Sequence, residues 1–412
     1  MPRTVNLLPR AFTRLWASDA LSSAGDGFTL VAAPLLVLGL TENPILVAGA
    51  ATAGYLPWVL FGLLSGTVVD RVDQRRLIVV VDTVRAALMA VLAISVWTDT
   101  VTVWLIYALL FLSGSGDTLT ATAAASLTPR VVDRADLTRA NARLLGTRLV
   151  GGALLARPIG AWLFGHGAGT PFAVDAVSFL IGSALLIGLP VRPRTPAPAT
   201  AQDEPPRSRV REGLRLLWAD DVLRILAVCI LLMNITLAAT TAILVLVARD
   251  RLGLGASGYG LLLATLAVGG LIGTALVNRL LSRFGPALLL TVGLLIEAGT
   301  QLTLALATSF WVAGAALLVF GVHSAVWSVL TASLRQHRIS DDARGRVISA
   351  YTVLSVGGAA LGSALGGVLV DTIGLTAPMW FGAAVVAAVF VVASPRLRAS
   401  AMELGERTPV AR

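Results

Sequence analysis

Apolar runs of roughly 20 residues, the length that crosses a bilayer core about 30 Å thick, follow one another along almost the whole chain. This repetition limits the possible folds more than any single motif does. Of the 412 residues, 56% are hydrophobic and 13% are charged, and the mean hydropathy is +0.83. These values lie outside the range of a soluble domain. We therefore expect an all-α membrane protein without a large soluble domain.

The apolar runs form two sets of six, separated by a segment rich in Pro, Thr and charge. We predict the spans at residues 15–40, 45–69, 76–97, 102–127, 141–165, 171–190, 222–248, 257–281, 286–308, 311–334, 347–370 and 376–394. The corresponding domains are an N-terminal tail (1–14), a six-helix bundle (15–190), a linker with an amphipathic helix (191–220), a second six-helix bundle (221–394) and a C-terminal tail (395–412).

Arginine recurs in the short loops at one end of the predicted spans and is nearly absent from the other end. The loops TENP, TDT, GHGAGT, TS and TIGLT carry none, and only Arg249 and Arg251 break the pattern. By the positive-inside rule, both termini and the linker are cytoplasmic in a multi-pass protein of the cell membrane. The net charge of +9 is spread over these loops, whereas a nucleic-acid-binding module concentrates its basic residues.

Enzyme and metal motifs do not occur in the sequence. Cys229 is the single cysteine, so the chain has no intrachain disulfide and too few soft ligands for structural zinc. No Gly-Lys-Ser/Thr phosphate loop, His-Glu-x-x-His motif or serine-nucleophile motif appears. We expect no cofactor and no enzymatic activity, which leaves an ion gradient as the energy source.

Four segments together with the layout of twelve spans resemble the major facilitator superfamily, and within it the drug and siderophore exporter branch of macrolide-efflux and enterobactin-exporter types. The segments are GTVVDRVDQRRL (66–77), AVDAVSFL (173–180), REGLRLLWADDVLR (211–224) and ARGRVISAY (343–351). The resemblance covers essentially the whole chain. It implies two six-helix bundles that transport a small-molecule substrate by alternating access, working as a monomer.

The resemblance also implies a gating motif between spans two and three and at the start of span eleven. Asp70 is expected to act at the N-terminus of span eleven, near residues 345–349, where a helix dipole favours an anion. The motif residues in this sequence are Gly66, Asp70, Arg71, Asp73, Arg75, Arg76, Arg344, Gly345 and Arg346.

Ionisable side chains at bilayer depth are costly and are therefore functional candidates. We expect proton coupling by Asp26, with Glu297 and His323 as further candidates, and a substrate cavity lined by Asp26, Asp117, Arg157, Asn234 and His323. Arg85 follows Asp82 by three residues, so the two can pair on one helix face. For Asn234, packing is the better explanation. Glu297, in the ninth span, either faces a partner or stays protonated.

Glycine-rich stretches in spans five and eleven, GGALLARPIG and GGAALGSALGG, predict smooth surfaces on which the two halves slide. Arg157 stands directly before Pro158, where antiporters of the superfamily usually have glycine. The function that fits is export of small amphiphilic compounds, such as antibiotics, drugs or siderophores, driven by proton influx. The alternatives are an importer or a lysolipid flippase of the same fold, and a structural or sensor protein that transports nothing.

Overall fold

The computed structural model describes residues 8–192 and 206–407, and almost all of them are helical. The N-terminal half contains α1 (Arg10–Leu40), α2 (Pro44–Val69), α3 (Gln74–Trp97), α4 (Val103–Val131), α5 (Leu137–Thr147), a π-helix (Arg148–Leu155), α6 (Ala156–His166) and α7 (Thr170–Leu186). The C-terminal half contains α8 (Pro206–Ala219), α9 (Asp221–Ala242), α10 (Leu244–Asp250), α11 (Ala256–Leu306), α12 (Phe310–Arg338), α13 (Asp341–Thr372) and α14 (Ala377–Arg407).

The predicted all-α membrane fold is confirmed. Among the described residues, nine helical segments are long and apolar enough to cross a bilayer. The longest, α11, has 51 residues and contains two spans. Two more crossings are made by α7 and by the continuous stretch of α5, the π-helix and α6. Nine segments, one extra span within α11 and these two crossings give twelve spans.

The two spans of α11 separate at Gly285, whose backbone is not helical. Its φ of 71° and ψ of 161° lie in a region that glycine enters without a steric penalty from a Cβ atom. Pro286 follows and begins the next span, because its ring fixes φ near the helical value and the first turn needs no backbone donor. The eighth and ninth spans are thus joined by a break of very few residues.

The fifth span is not one regular α-helix. It passes from α5 into the π-helix Arg148–Leu155 and then into α6. Pro158, near the start of α6, has no N–H to donate to the preceding turn, and its ring crowds the carbonyl four residues earlier. A wider π-turn just before such a proline relieves this conflict. The sequence prediction of a single span at 141–165 did not include this irregularity.

The chain divides into two compact units. The first comprises Met1–Leu36 and Leu60–Asp203, and the second comprises Val37–Val59 and Glu204–Arg412. The stretch Val37–Val59, which includes the first half of α2, packs with the second unit, although the sequence prediction assigns it to the N-terminal bundle. Within that unit the hydroxyl groups of Thr52 and Ser363 are 2.9 Å apart.

Glycines of α13 allow the backbone of α9 to approach closely. A Cβ atom on Gly358, Gly362 or Gly366 would lie 2.1–2.8 Å from a carbonyl oxygen of α9. In the fifth span, Gly152 and Gly160 likewise face α1. These glycines pack against helices of their own unit. Gly367, in the same stretch of α13, faces α2 instead, since a Cβ atom there would lie 2.8–2.9 Å from Pro44, Ile45 and Ala48. The sequence prediction assigns α2 to the N-terminal bundle, so the expected contact with the opposite half is confirmed at Gly367 only. The sequence showed the small residues but not the direction in which they face.

The amphipathic helix predicted before the seventh span is α8. It packs on α13, where a Cβ atom on Gly213 would meet the Arg346 carbonyl oxygen, and Leu217 is fully buried. Asp220 then caps α9 by accepting from the backbone N–H groups of Val222 and Leu223, each at 2.9 Å. The rest of the predicted linker, residues 193–205, lies outside the described residues, as do parts of both predicted tails.

Candidate functional site

A buried arginine in α3 organises the charged groups of the first unit. The side chain of Arg85 is 3% exposed, and its Nη2 donates to Asp26 Oδ1 of α1 at 2.6 Å. The Asp26 side chain is 40% exposed, so the accessible end of this ion pair is the carboxylate. The sequence predicted that Arg85 pairs with Asp82, one turn away on the same helix. That pair is confirmed by a distance of 3.6 Å, but the shortest contact of Arg85 is with Asp26, on another helix.

Two more carboxylates and a hydroxyl group surround the same guanidinium. Arg85 Nη1 lies 3.6 Å from Asp82 Oδ1 and 3.9 Å from Asp117 Oδ1, and Nε donates to Ser113 Oγ at 3.3 Å. The guanidinium carbon also lies 4.2 Å from the centre of the Phe179 ring, a cation–π distance. One positive charge, carried by α3, therefore contacts residues of α1, α4 and α7 as well as Asp82 of α3 itself.

Asp175 of α7 adds a fourth carboxyl group close to Arg85. It is 1% exposed, and its Oδ2 accepts from the Thr29 hydroxyl of α1 at 2.6 Å. A Cβ atom on Gly25 would lie only 2.0 Å from Asp175 Oδ1, so glycine is required at this crossing of α1 and α7. Asp175 lies in the segment AVDAVSFL, but it is not among the residues predicted for the site. The sequence feature that could have identified Asp175 is its position, since it is an acidic residue in the middle of an apolar span.

We call Arg85, Asp26, Asp82, Asp117 and Asp175 the Arg85 cluster. Three of its carboxyl groups lie within 3.9 Å of one guanidinium, and Asp175 lies nearby. At bilayer depth every uncompensated charge is costly. Full ionisation would leave the cluster with three excess negative charges, and a proton on one or more carboxyl groups would reduce that excess.

A second ion pair of the first unit links α1 to the π-helix. Arg148, at the first position of the π-helix, contacts both carboxylate oxygens of Asp19, and the Asp19 side chain is 10% exposed. Beside this pair, Trp16 Nε1 donates to the Thr147 hydroxyl at 2.7 Å. Asp19 and Asp26 are seven residues apart and therefore share one face of α1. The sequence analysis did not propose Asp19 or Arg148 as site residues.

In the second unit, the structure brings Glu297 and His323 together. Glu297 Oε2 lies 3.5 Å from His323 Nε2, and both side chains are at least 97% buried. Glu297 thus turns toward a partner, one of the two alternatives that the sequence left open. The ring of Trp327 is centred 5.7 Å from the imidazole. Nothing in these contacts shows a role in transport, so coupling through this pair stays a prediction.

Two other predicted cavity residues have local surroundings. The side-chain amide of Asn234 donates to the Ile230 carbonyl of its own helix at 2.8 Å, and its Cβ lies beside Gly358. These contacts are those of a packing residue. Arg157 is partly buried in α6. A role in substrate binding stays a prediction for both residues.

Side chains of the predicted gating motif make structural contacts around the start of α3. Asp73 caps α3 by accepting from the Arg76 backbone N–H at 2.8 Å, and Arg75 donates to the Leu189 carbonyl at 3.1 Å. Arg75 thereby ties the start of α3 to the segment that follows α7. The gating role of the motif stays a prediction for all of its residues, namely Gly66, Asp70, Arg71, Asp73, Arg75, Arg76, Arg344, Gly345 and Arg346.

Comparison with known proteins identifies the family. The family model described as transmembrane secretion effector matches residues 5–411, nearly the whole chain. The chain belongs to this family. Enterobactin exporters EntS from Shigella boydii serotype 4 and from Escherichia coli O1:K1 are each 26% identical over 366 residues, covering 86% of this chain and 84% of the relative.

Solved structures share the fold of this transmembrane secretion effector. A bacterial homologue of the iron transporter ferroportin, in its inward-facing state, matches with a TM-score of 0.74 and 18% identity over 94% of this chain and 98% of the other. The POT family transporter PepTSo matches with a TM-score of 0.74 and 14% identity over 96% and 99%. At these identities the likeness shows the fold alone, that of the major facilitator superfamily.

Family membership confirms the predicted class. The protein is a multi-pass membrane protein and a secondary transporter of the efflux type within the major facilitator superfamily, and it is not an enzyme. Its substrates are small molecules.

Proposed function

We propose that this transporter exports siderophore-like or antibiotic-like amphiphilic compounds across the cell membrane in exchange for protons. Similarity to enterobactin exporters supports the substrate class. The observation that supports proton coupling is the Arg85 cluster, in which one guanidinium contacts three carboxyl groups and a fourth, that of Asp175, lies nearby. Each elementary charge that moves inward supplies about 2.3 kcal/mol per 100 mV of membrane potential.

Asp26 is the proton carrier in this proposal, because its side chain is the most exposed of the three carboxylates that contact Arg85. Protonation of Asp26 removes the negative charge at 2.6 Å from the guanidinium. Arg85 then relies on Asp82 and Asp117, which are already within 3.9 Å. Loss of the proton restores the pair with α1. Proton binding therefore changes which helices Arg85 holds together, and this is the link between the proton and the conformation.

The remaining predictions complete the proposal. Both termini are cytoplasmic, the protein works as a monomer, and helices α1, α4, α9 and α12 contribute to the substrate cavity. Asn234 and Arg157 line or support that cavity, and the gating motif controls the conformational cycle.

The test uses inverted membrane vesicles from a host depleted of its own exporters. Labelled enterobactin and a labelled macrolide are the probes, and uptake into inverted vesicles corresponds to export from cells. We expect uptake of at least one probe when the vesicles build a proton gradient, and we expect a protonophore to abolish it. Uptake that is equal with and without the protonophore would refute proton coupling.

Asp26→Asn in the same vesicles should remove proton-driven uptake while the protein is still inserted. The matched control is Asp133→Asn, which removes a carboxylate from a solvent-exposed pair with Arg192 and should leave uptake unchanged. Movement of a probe only in the opposite direction would favour the importer alternative.

A further inference from the structure

Glu297 and His323 form a buried polar pair in the second unit, away from the Arg85 cluster. Glu297 lies in the ninth span and His323 in α12. Gly293, one turn before Glu297, makes room for the imidazole, since a Cβ atom there would lie 2.5 Å from His323 Cε1. In this position, His323 Nε2 points toward the carboxyl group of Glu297 and lies 3.5 Å from its Oε2.

The polar atoms of this pair have no hydrogen-bond partner among the described residues. Three atoms of the pair are affected, namely the two carboxyl oxygens of Glu297 and the Nε2 of His323. The Nε1 of neighbouring Trp327 also has no hydrogen-bond partner. Buried polar atoms are normally hydrogen-bonded, and each exception needs an explanation. Four such atoms in one place point to a site that binds something small.

Within the described part of the chain, His323 is the one basic side chain recorded within 4 Å of the Glu297 carboxylate. An apolar cluster that includes Leu290, Leu294, Val326 and Met233 encloses Trp327. On α9, the ionisable group that interacts with Glu297 is Cys229. On α12, it is His323. The stretch of α14 from Ala377 to Pro395 contains no ionisable residue. A bare carboxylate in these surroundings would carry a large desolvation cost.

We propose that Glu297 and His323 form a second proton-binding site, which takes up and releases one proton as a unit. The proton lies between Glu297 Oε2 and His323 Nε2 and moves from one atom to the other without any other bond changing. With this proton the pair is neutral, and without it the pair carries one negative charge.

The use of this site in transport rests on the proposed function. If the Arg85 cluster carries one proton per cycle, the Glu297–His323 pair carries a second in the other half of the molecule. The pair lies in a separate helix bundle, so the two protons are bound by separate groups and are removed by separate mutations.

Histidine NMR tests the site without knowledge of the substrate. The chain has three histidines, His166, His323 and His337, so full-length protein with ¹⁵N-labelled histidine in nanodiscs gives three imidazole signals. His323→Gln identifies the signal of interest, and exposed His166 is the internal reference. We expect the ¹⁵N shifts of His323 to change between pH 5 and pH 9 along a curve different from that of His166.

Two variants separate proton sharing from an isolated histidine. Glu297→Gln removes the acidic partner while keeping its size, and His323 should then stay neutral down to pH 5. Glu297→Asp keeps a carboxyl group and should retain the titration. A wild-type His323 signal that is constant from pH 5 to pH 9, or one that titrates identically in Glu297→Gln, would overturn the proposal.

Proton counting with enterobactin as the probe then assigns the role in transport. In proteoliposomes with a trapped pH dye, Glu297→Gln should release about half as many protons per enterobactin as the wild type, because one of two sites is lost. An unchanged proton count would overturn the role in transport. If the wild type moves no protons at all, the proposed function fails while the NMR result still decides the site.

Discussion

At the scale of single residues, Arg85 holds together more of the first unit than any other charged side chain described above. It is the cation shared by Asp26, Asp82 and Asp117. Removing one partner of a buried ion pair costs about 3–5 kcal/mol, because the other charge is left uncompensated. We predict that Arg85→Gln lowers the unfolding temperature strongly and abolishes export, as measured by thermal unfolding in detergent and by vesicle uptake.

The double variant Asp26→Asn/Arg85→Gln is the control for that prediction. It removes one negative and one positive charge, so the charge imbalance of Arg85→Gln falls by one unit. We expect it to recover part of the lost unfolding temperature and none of the proton-driven export. A double variant that is less stable than Arg85→Gln would show that Asp26 does not share the charge of Arg85.

The residue scale also shows the limits of sequence reasoning. Asp26 and Asp117 could be selected because a carboxyl group within an apolar run is costly whatever surrounds it. The contact of Arg85 with Asp26 could not be selected, because 59 residues separate them and only helix packing brings them together. Asp175 is also far in sequence from the α1 residues that it contacts. Its approach to α1 depends on the absence of a side chain at Gly25.

At the scale of helices, close backbone contact between α13 and α9 gives a matched pair of substitutions. A Cβ atom at Gly362 would lie 2.1 Å from the Ile235 carbonyl oxygen, whereas a Cβ atom at Gly357 meets nothing within 4 Å. We predict that Gly362→Ala lowers the unfolding temperature by several degrees and reduces export. Gly357→Ala should leave both unchanged or raise stability slightly, since alanine is the better helix former by about 1 kcal/mol. Equal effects of the two substitutions would contradict this packing.

The helices themselves were largely predictable, and their irregularities were not. Hydropathy and length gave the spans because every backbone group in a bilayer must be paired within its own helix. The π-helix at Arg148–Leu155 depends on how Pro158 competes with packing against α1. Gly152 and Gly160 were recognised as small residues, but a helix sequence alone does not state which neighbour a face will meet.

At the scale of the whole molecule, the fold followed from the number and spacing of apolar runs. The grouping of Val37–Val59 with the second unit did not follow, since it depends on contacts between side chains such as Thr52 and Ser363. The substrate is likewise not encoded in a motif.

The conformational cycle provides a further prediction at this scale. If Asp70 acts in the cycle, as the gating motif implies, Asp70→Ala should slow export while the affinity for labelled enterobactin stays within about twofold of the wild type, a difference of less than 1 kcal/mol. Asp133→Ala is the control, because it removes a carboxylate from a solvent-exposed pair with Arg192 and should leave export and affinity unchanged. Lost affinity with a normal turnover rate in Asp70→Ala would contradict a role in the cycle.

The central claim is that a proton on the Arg85 cluster drives net export. The most direct measurement compares two modes of transport in proteoliposomes containing Asp26→Asn: accumulation of labelled enterobactin driven by a proton gradient, and exchange of labelled for unlabelled enterobactin with no gradient. Exchange needs no net proton movement. The account predicts that exchange is retained and that driven accumulation is lost. Driven accumulation at the wild-type level in Asp26→Asn would contradict it.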